Sequence, residues 1–301
     1  MGRLVALIVL AAACKPDAGA PLSLVTAPRV LALAGEPAEV SPGATTQLGA
    51  LVASPDGSST APLIWSLCTD PAPSTTNDVV AQSCLSINDP GVMYLAYDQP
   101  TVMATVPMDA CQIFGPELPP SEPGQPDRRP VDADATGGWY QPYRVDLASA
   151  FSVGLERIRC NLVGASMDVA MQFRMSYQPN QNPTIAALTV AGAPADGATV
   201  APGAHVAFEL SWPDAAVESY PIYNVVTQTL DQHREQMTVS WFATDGQFDD
   251  DRTGRASDDL ALFSDDGWTA PEAPSTVHVW AVLRDDRGGA AWTSASVVVG
   301  P

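Results

Sequence analysis

The chain has little positive charge. It carries 34 acidic against 14 basic side chains, a formal net charge of -20, and its single lysine is Lys15. Nucleic acids are bound through basic surfaces that release phosphate counterions, so this balance argues against a nucleic-acid partner. An acidic exterior also keeps an exported protein soluble.

The sequence also lacks the motifs of catalysis and metal binding. Its histidines, His205, His233 and His278, are scattered and form no HExxH pair. There is no GxSxG elbow, no phosphate-cradling GxxxxGK[ST] and no CxxC spacing. We therefore predict a non-enzyme without a required cofactor. An unrecognised enzyme, with its site on a loop at residues 112–138, is kept as an alternative.

Sustained helical periodicity is missing, so helices are expected to be minor. The short apolar or alternating runs RVLALA, TTQLGALVA and LIWSL are instead separated by Pro- and Gly-rich stretches, which is typical of β-strands and turns. This pattern predicts an all-β fold.

The N-terminus, residues 1–14, reads MGRLVALIVLAAAC. Arg3 supplies a positive n-region, an apolar stretch follows to Leu10, and three alanines precede Cys14, as in a signal peptide with its cleavage site. The apolar run is too short to span a bilayer. This segment predicts export.

An apolar run that ends on a cysteine resembles the lipobox of bacterial lipoproteins, although Ala11 stands where leucine is usual. The resemblance implies cleavage after residue 13 and acylation of Cys14 with chains such as palmitate, which anchor the protein to a membrane. Lys15 stands where lipoproteins of the inner membrane usually carry aspartate, so the outer membrane of a Gram-negative bacterium is expected. The alternative is an ordinary secretory signal that leaves Cys14 removed or free.

The other cysteines number four, which in an oxidising envelope favours disulfides over free thiols. They are Cys68, Cys84, Cys111 and Cys160. Three pairings are possible, and sequential pairing, Cys68 with Cys84 and Cys111 with Cys160, is preferred because each pair flanks one polar stretch. The second half of the chain must then rely on its hydrophobic core.

An internal repeat divides the chain. Ala34-Gly-Glu-Pro-Ala38, followed by Val40-Ser-Pro-Gly-Ala44, recurs as Ala191-Gly-Ala-Pro-Ala195, followed by Val200-Ala-Pro-Gly-Ala204. A Pro-Gly pair favours a tight turn, here expected between antiparallel strands. We predict two homologous domains at 28–178 and 184–301, joined by a linker at 179–183 and preceded by a tether at 14–27. Chance similarity in an Ala/Pro/Gly-rich chain is the alternative.

The second half shows its strands most clearly. Period-two alternation places Val206, Phe208, Leu210 and Trp212 on one face of a strand. Met237, Val239, Trp241 and Ala243 share a face of another strand. A final hairpin is expected across residues 285–289, and the tyrosines of the insertion at 213–234 suit either a recognition surface or a local core.

Trp241, the Trp268-Thr-Ala-Pro271 stretch and the run from Val279 to Gly289 resemble bacterial immunoglobulin-like domains, including the PKD-like kind. The resemblance implies two tandem immunoglobulin-like β-sandwich domains. It is specific for fold and not for function, since such sandwiches carry many binding roles.

The first half is less regular. GVMYLAY, TVMATV, WYQPYRVDL, SVGLERIRC and VAMQFRMSY are assigned as its later strands, with Cys160 and Phe173 facing inward. The Pro-, Gly- and charge-rich segment at 112–138 is expected to be an exposed loop, either a recognition loop or a flexible insertion.

Asp245, Asp249 and Asp251 are candidate calcium ligands, because calcium takes six to eight oxygens from flexible loops. Further aspartates follow at Asp258, Asp259, Asp265, Asp266, Asp285 and Asp286. The spacing does not match an EF-hand, and pairing of these acids with Arg252, Arg255 and Arg287 on a solvated acidic face is the alternative.

Together these observations predict a lipid-anchored cell-envelope protein that acts as a non-catalytic binding, adhesion or structural module. Its expected partners are the membrane, through the lipid, and a protein or polysaccharide of the envelope. The alternative from another class is a calcium-stabilised accessory domain that positions an envelope enzyme or export complex.

Overall fold

Alternating apolar residues form β-strands through most of the chain. A computed structural model describes residues 21–59, 61–72, 80–117, 136–148 and 150–301. The signal peptide, Cys14 and most of the loop at 112–138 lie outside the described residues.

The first half forms two sheets, antiparallel except where β2 pairs with β9, and two short α-helices. Its elements are, in chain order, β1 (Arg29–Glu36), β2 (Glu39–Val40), β3 (Thr45–Ser54), β4 (Gly57–Ser58), β5 (Leu63–Cys68), β6 (Val92–Tyr97), β7 (Thr101–Thr105), α1 (Ala110–Ile113), β8 (Gly138–Leu147), β9 (Ala150–Arg159) and α2 (Met167–Ser176). One sheet has the order β1-β3-β4 with β7 also paired to β3, and the other has the order β2-β9-β8-β5-β6.

The second half repeats this plan and adds a hairpin. Its strands are β10 (Ala187–Val190), β11 (Ala193–Pro194), β12 (Thr199–Val200), β13 (His205–Ser211), β14 (Ser219–Asn224), β15 (Thr229–Arg234), β16 (Met237–Ala243), β17 (Gln247–Phe248), β18 (Arg252–Arg255), β19 (Phe263–Thr269), β20 (Ser275–Arg284) and β21 (Ala290–Val299). The sheets have the orders β11-β10-β13-β19-β17 and β12-β21-β20-β16-β18, and β14 pairs with β15 alone.

This strand order is that of an immunoglobulin-like sandwich, in which strands A, B and E share one sheet and strands C, F and G share the other. Here β1, β3 and β7 correspond to A, B and E of the first sandwich, and β10, β13 and β19 to those of the second. In both halves a two-residue strand pairs in parallel with the last strand of the facing sheet, β2 with β9 and β12 with β21. The all-β fold class, with two immunoglobulin-like β-sandwiches, is therefore confirmed.

The internal repeat has the same structure in both halves. Val40 pairs with Ile158 and Val200 pairs with Val299. Each turn then closes with the same bond, from the Ala44 amide to the Ser41 carbonyl at 2.9 Å in the first copy. Gly43 has a φ of 79°, which a residue with a side chain rarely adopts. The turn was expected between antiparallel strands, but it crosses from one sheet to the other.

A tryptophan lies at the centre of each sandwich. Trp65 on β5 and Trp241 on β16 are both fully buried, and each indole N–H has an acceptor, Gln99 O for Trp65 and Thr253 Oγ1 for Trp241. The inward faces expected for β13 and β16 are confirmed, since Phe208, Trp241 and their neighbours form one hydrophobic cluster.

The disulfides link Cys68 to Cys84 and Cys111 to Cys160, the sequential pairing that was preferred. Both are in the first half.

One strand assignment was wrong. VAMQFRMSY belongs to α2, because Ser166 caps its N-terminus by accepting a hydrogen bond from the Val169 amide, and Asp168 favours the first turn. Phe173 is buried as expected, but from a helix. Val169, Phe173 and Tyr177, spaced by four residues, form the face that packs inward.

The end of the predicted tether is packed on the second sandwich. Leu24 forms a parallel bridge to Ala243, and the Val25 amide donates to the Ala243 carbonyl at 2.8 Å. Val25 is fully buried. The tether prediction is therefore wrong for residues 21–25, because an apolar side chain and backbone pairing fix this segment.

The two sandwiches pack side by side through a hydrophobic cluster. It comprises Val25, Leu31, Ala32, Leu51, Ala53, Trp280 and Val282, with Phe242 and Trp292 at its margin. These residues lie on β1 and β3 of the first sandwich and on β16, β20 and β21 of the second. Burial of each large side chain contributes about 1.5–3 kcal/mol, so the cluster opposes separation of the sandwiches.

Candidate binding surface

The molecule has two distinct ends, defined by where the N-terminal segment lies. Residues 21–25 contact Ala243, the last residue of β16, and the β14–β15 hairpin comes directly before Met237, the first residue of that strand. Seven strand residues span about 20 Å. We call the end that holds residues 21–25 the proximal end and the opposite one the distal end.

The distal end is built from both sandwiches. From the first come α1, α2 and the Arg159 end of β9, and from the second comes the β14–β15 hairpin. The side chains of Tyr220 and Tyr223 are buried against Phe173 and Tyr177 of the first sandwich. The tyrosines of the insertion therefore form a local core and not an exposed recognition surface.

Exposed apolar side chains remain on this end. Met167, Met171 and Met175 follow one another at spacings of four along the outer face of α2, and Met167 and Met175 are each 81% exposed. Val226 at the hairpin tip is 88% exposed.

A buried polar network joins the two sandwiches beneath the distal end. In the first sandwich Arg157 Nε lies 3.2 Å from Glu39 Oε2. The same carboxylate oxygen accepts from the Tyr177 hydroxyl at 2.6 Å and from the Asn180 amide at 2.9 Å. Asn180, in the predicted linker, is 1% exposed. This linker is therefore held on both sides.

Arg287 carries the network into the second sandwich. Its Nε lies 2.8 Å from Glu235 Oε1, and it also pairs with Glu218. Its Nη1 donates to the Gln178 carbonyl at 3.1 Å. Because Arg287 and Glu235 are both 1% exposed, removal of Arg287 would leave Glu235 buried without its ion-pair partner.

Burial raises the pKa of carboxyl groups in and beside this network. The pKa of Glu235 is raised to about 7, because burial and the nearby charge of Asp285 outweigh the opposing effect of Arg287. Glu156 lies on β9 inside the first sandwich, where burial raises its pKa to about 9 against a hydrogen bond from Thr46. At neutral pH Glu156 is therefore protonated.

An open cavity of about 450 Å³ lies on the distal end, next to the base of the 112–138 segment. Its described lining comprises Pro42, Met108, Asp109, Cys111, Gln112, Glu117, Arg159, Cys160, Asn161, Phe173, Arg174 and Tyr177. The volume is in the range of small-molecule sites.

The cavity borders the 112–138 segment, where the alternative hypothesis of an unrecognised enzyme places the active site. Its described lining offers charge and hydrogen-bonding groups, but no histidine, serine or free thiol, since Cys111 and Cys160 are disulfide-bonded. A nucleophile paired with a base is thus not found among these residues. The arrangement suits binding.

The three candidate calcium ligands, Asp245, Asp249 and Asp251, each contact a different group. Asp249 Oδ2 lies 2.9 Å from His205 Nε2, Asp245 Oδ1 accepts from the Gly246 amide, and the Asp251 carbonyl accepts from the Trp241 amide. Within the described ranges no three His, Cys, Asp or Glu side chains converge as a metal site. The candidates are not brought together.

The alternative, pairing of nearby aspartates with arginines, holds for Arg255, whereas Arg252 has no ion pair among the described residues and Arg287 pairs with two glutamates. Arg255 contacts Asp259 at 3.3 Å and Asp265 at 3.5 Å. His278 lies on β20, half-buried beside Trp280. Its Nδ1 is 3.0 Å from Ser296 Oγ.

In the part of the chain that the structure describes, no helix has the length and apolarity needed to cross a bilayer.

The comparisons with known proteins were made on both sequence and structure. No family model matches the chain, and no curated protein sequence is similar to it. Among solved structures, the D00-D0 domain of intimin matches with a TM-score of 0.26 and 10% identity over 91% of this chain and 99% of that one.

Two further structures match at the same level. The fibronectin(III)-like modules of CbhA from Clostridium thermocellum give a TM-score of 0.26 and 11% identity over 90% of this chain and 93% of theirs. The adhesin InvE of Yersinia pseudotuberculosis gives 0.22 and 12% over 88% of this chain and 58% of that one. All three scores are low, so the fold assignment stands on the strand pairing.

Sequence reasoning missed the cavity, the buried network and α2. For α2 a signal was present, in Ser166 followed by Asp168 and in the spacing of Val169, Phe173 and Tyr177. For the cavity and the network there was none, because their residues come from segments more than one hundred positions apart in the chain, such as Glu39 and Arg157.

Proposed function

We propose that this chain is a lipid-anchored protein of the cell envelope that acts as a non-catalytic binding module. The proposed anchor is acylated Cys14, in the outer membrane of a Gram-negative bacterium. The module presents its distal end away from the membrane, toward a protein, polysaccharide or smaller ligand of the envelope.

The observation that carries this proposal is the position of residues 21–25. Ser23, Leu24 and Val25 pair with Ala243 at the proximal end, and Leu22, just before them, is 76% exposed. A chain that leaves from this end toward Cys14 directs the proximal end to the membrane. The cavity and the exposed side chains of α2 then face outward.

The packing between the sandwiches supports the same role. A hydrophobic cluster and a buried charge network both cross the interface, so the distal end is a surface shared by two rigid sandwiches. Recognition surfaces are commonly carried on the ends of such scaffolds.

The anchor is tested by expressing the full chain in a Gram-negative host with radiolabelled palmitate. We expect label and membrane fractionation for the natural sequence, and neither for Cys14→Ser. Equal membrane association of the two proteins, or absence of label from both, would refute the anchor.

The orientation is tested on lipid vesicles that contain a headgroup quencher. A dye is attached through Asp56→Cys at the proximal end or through Val226→Cys at the distal end. We expect stronger quenching at position 56. Equal quenching at the two positions would refute the outward distal end even if Cys14 is acylated.

A further inference from the structure

Two arginine side chains line the distal cavity of this acidic protein. These are Arg159 and Arg174. Arg159 donates to Ser41 Oγ at 2.8 Å and has no ion pair with any described carboxylate. Arg174, in the last turn of α2, donates to no described protein atom.

Other arginines near the same end do have carboxylate partners. Arg157 pairs with Glu39, and Arg287 pairs with Glu218 and Glu235. Arg159 and Arg174 have no such carboxylate partner among the described residues. Their N–H donors are therefore free to receive an acceptor from a ligand.

The acidic groups of the cavity do not neutralise these arginines. Glu117 Oε1 accepts from Asn161 Nδ2 at 2.6 Å, and neither Glu117 nor Asp109 lies within ion-pair distance of either guanidinium. Asn161 and Gln112 add polar lining.

The remaining walls are apolar. The Cys111–Cys160 disulfide and the largely buried rings of Phe173 and Tyr177 form part of the lining, and Met108, 81% exposed, stands at the rim. A ligand that contacts both the arginines and these groups needs an anionic head and an apolar body. The lining therefore combines polar groups that can orient a ligand with apolar surface that can pack against it.

We propose that this cavity binds a small organic oxyanion, a carboxylate or phosphate ester on an apolar or aromatic body, with Arg159 and Arg174 holding the oxyanion. This rests on the proposed binding role and gives that role a ligand class. Its test is independent of the anchor, because it measures binding to the purified full chain in detergent.

The test uses benzoate and phenyl phosphate, which share a ring and differ in the head group, together with neutral benzamide. Binding is followed by NMR shifts of the Met108 methyl and of the amides of α2. We expect saturable binding of at least one of the two anions, and the tighter one identifies the head group. Benzamide should give no saturable shift.

The matched variants are Arg159→Gln with Arg174→Gln, and Arg252→Gln as the control. Arg252 is exposed on β18, outside the cavity, and likewise has no ion-pair partner among the described residues. Charge-assisted hydrogen bonds are strong, so the double variant should bind at least about tenfold more weakly, whereas the control should match the natural protein.

Three results would overturn the proposal. These are the absence of saturable binding by both anions, equal affinity in the double variant, or benzamide binding as tightly as benzoate. A circular dichroism spectrum and a melting curve of each variant verify its fold. Because Arg159 and Arg174 are exposed, we expect both variants to fold as the natural protein does.

Discussion

The protonated state of Glu156 gives the most precise prediction. This carboxyl lies between β1 and β9 in the interior of the first sandwich, and it is 2% exposed. Gly35 leaves room for it, since a Cβ at that position would stand 1.9 Å from Glu156 Oε2. Oε1 has no hydrogen-bond partner. An ionised carboxylate is costly in this position, and a neutral one is tolerated.

The sign of the pH effect follows from the two states of the chain. Burial raises the pKa of Glu156 to about 9 in the folded protein from an ordinary value of 4.5. Its contribution to the free energy of unfolding is therefore fully present below the unfolded pKa, and it is lost as the pH rises through the folded pKa. Between these values the folded chain holds a proton that the unfolded chain has released.

We therefore expect Glu156→Gln to remove a pH dependence. In the window between the two pKa values the natural protein loses about 1.4 kcal/mol of unfolding free energy per pH unit through this group, or about 2.7 kcal/mol between about pH 6 and pH 8. Glutamine keeps the size of the side chain and does not titrate. The variant should thus gain stability relative to the natural protein by that amount.

The measurement is urea denaturation of both proteins at several pH values across this window. Other buried acids titrate in both proteins and cancel in the difference. Glu272→Gln is the control, because Glu272 is exposed, and its curve should stay parallel to that of the natural protein. A constant difference between Glu156→Gln and the natural protein from about pH 6 to pH 8 would refute a buried, protonated Glu156.

Three further predictions concern the buried network, the disulfides and calcium. Arg287→Met should lower the unfolding free energy by about 3–5 kcal/mol because it leaves Glu235 buried without its partner. Since the pKa of Glu235 is already raised to about 7, the loss of unfolding free energy should be smaller in acid than in base. Urea denaturation below and above neutral pH checks this, with the Arg287→Met, Glu235→Gln double variant for comparison. Removal of the Cys111–Cys160 disulfide, which spans 49 residues, should destabilise by about 4 kcal/mol, more than removal of the other disulfide, which spans 16; equal melting temperatures of the two serine double variants would contradict this. Addition of calcium or of a chelator should leave the melting temperature of the natural protein unchanged, because the candidate aspartates do not converge. A melting temperature that rises with calcium would support the alternative of a calcium-stabilised domain.

Much of each sandwich could be predicted from local sequence pattern. The alternation that places Phe208 and Trp241 inward depends only on the period of a strand, and the Pro-Gly turns at Gly43 and Gly203 depend on a backbone conformation that few residues adopt. The cysteines that form the two disulfides are likewise visible in the sequence. The stretch VAMQFRMSY carries two local patterns, the apolar alternation of a strand and the four-residue apolar spacing of a helix that follows an N-cap. The strand prediction rested on the alternation, and it therefore missed the helix.

The sequence by itself indicated the all-β class and the repeat of two sandwiches, because these follow from neighbouring residues, and it favoured the sequential pairing among the three that four cysteines allow. Only the tertiary structure decided that the sandwiches pack side by side, that Glu39, Tyr177 and Arg287 meet in one buried network, and that Pro42 lines one cavity with Arg159 and Arg174. These features join segments far apart in the chain. Their energies come from burial and charge pairing between surfaces, and no local pattern records which surfaces will meet.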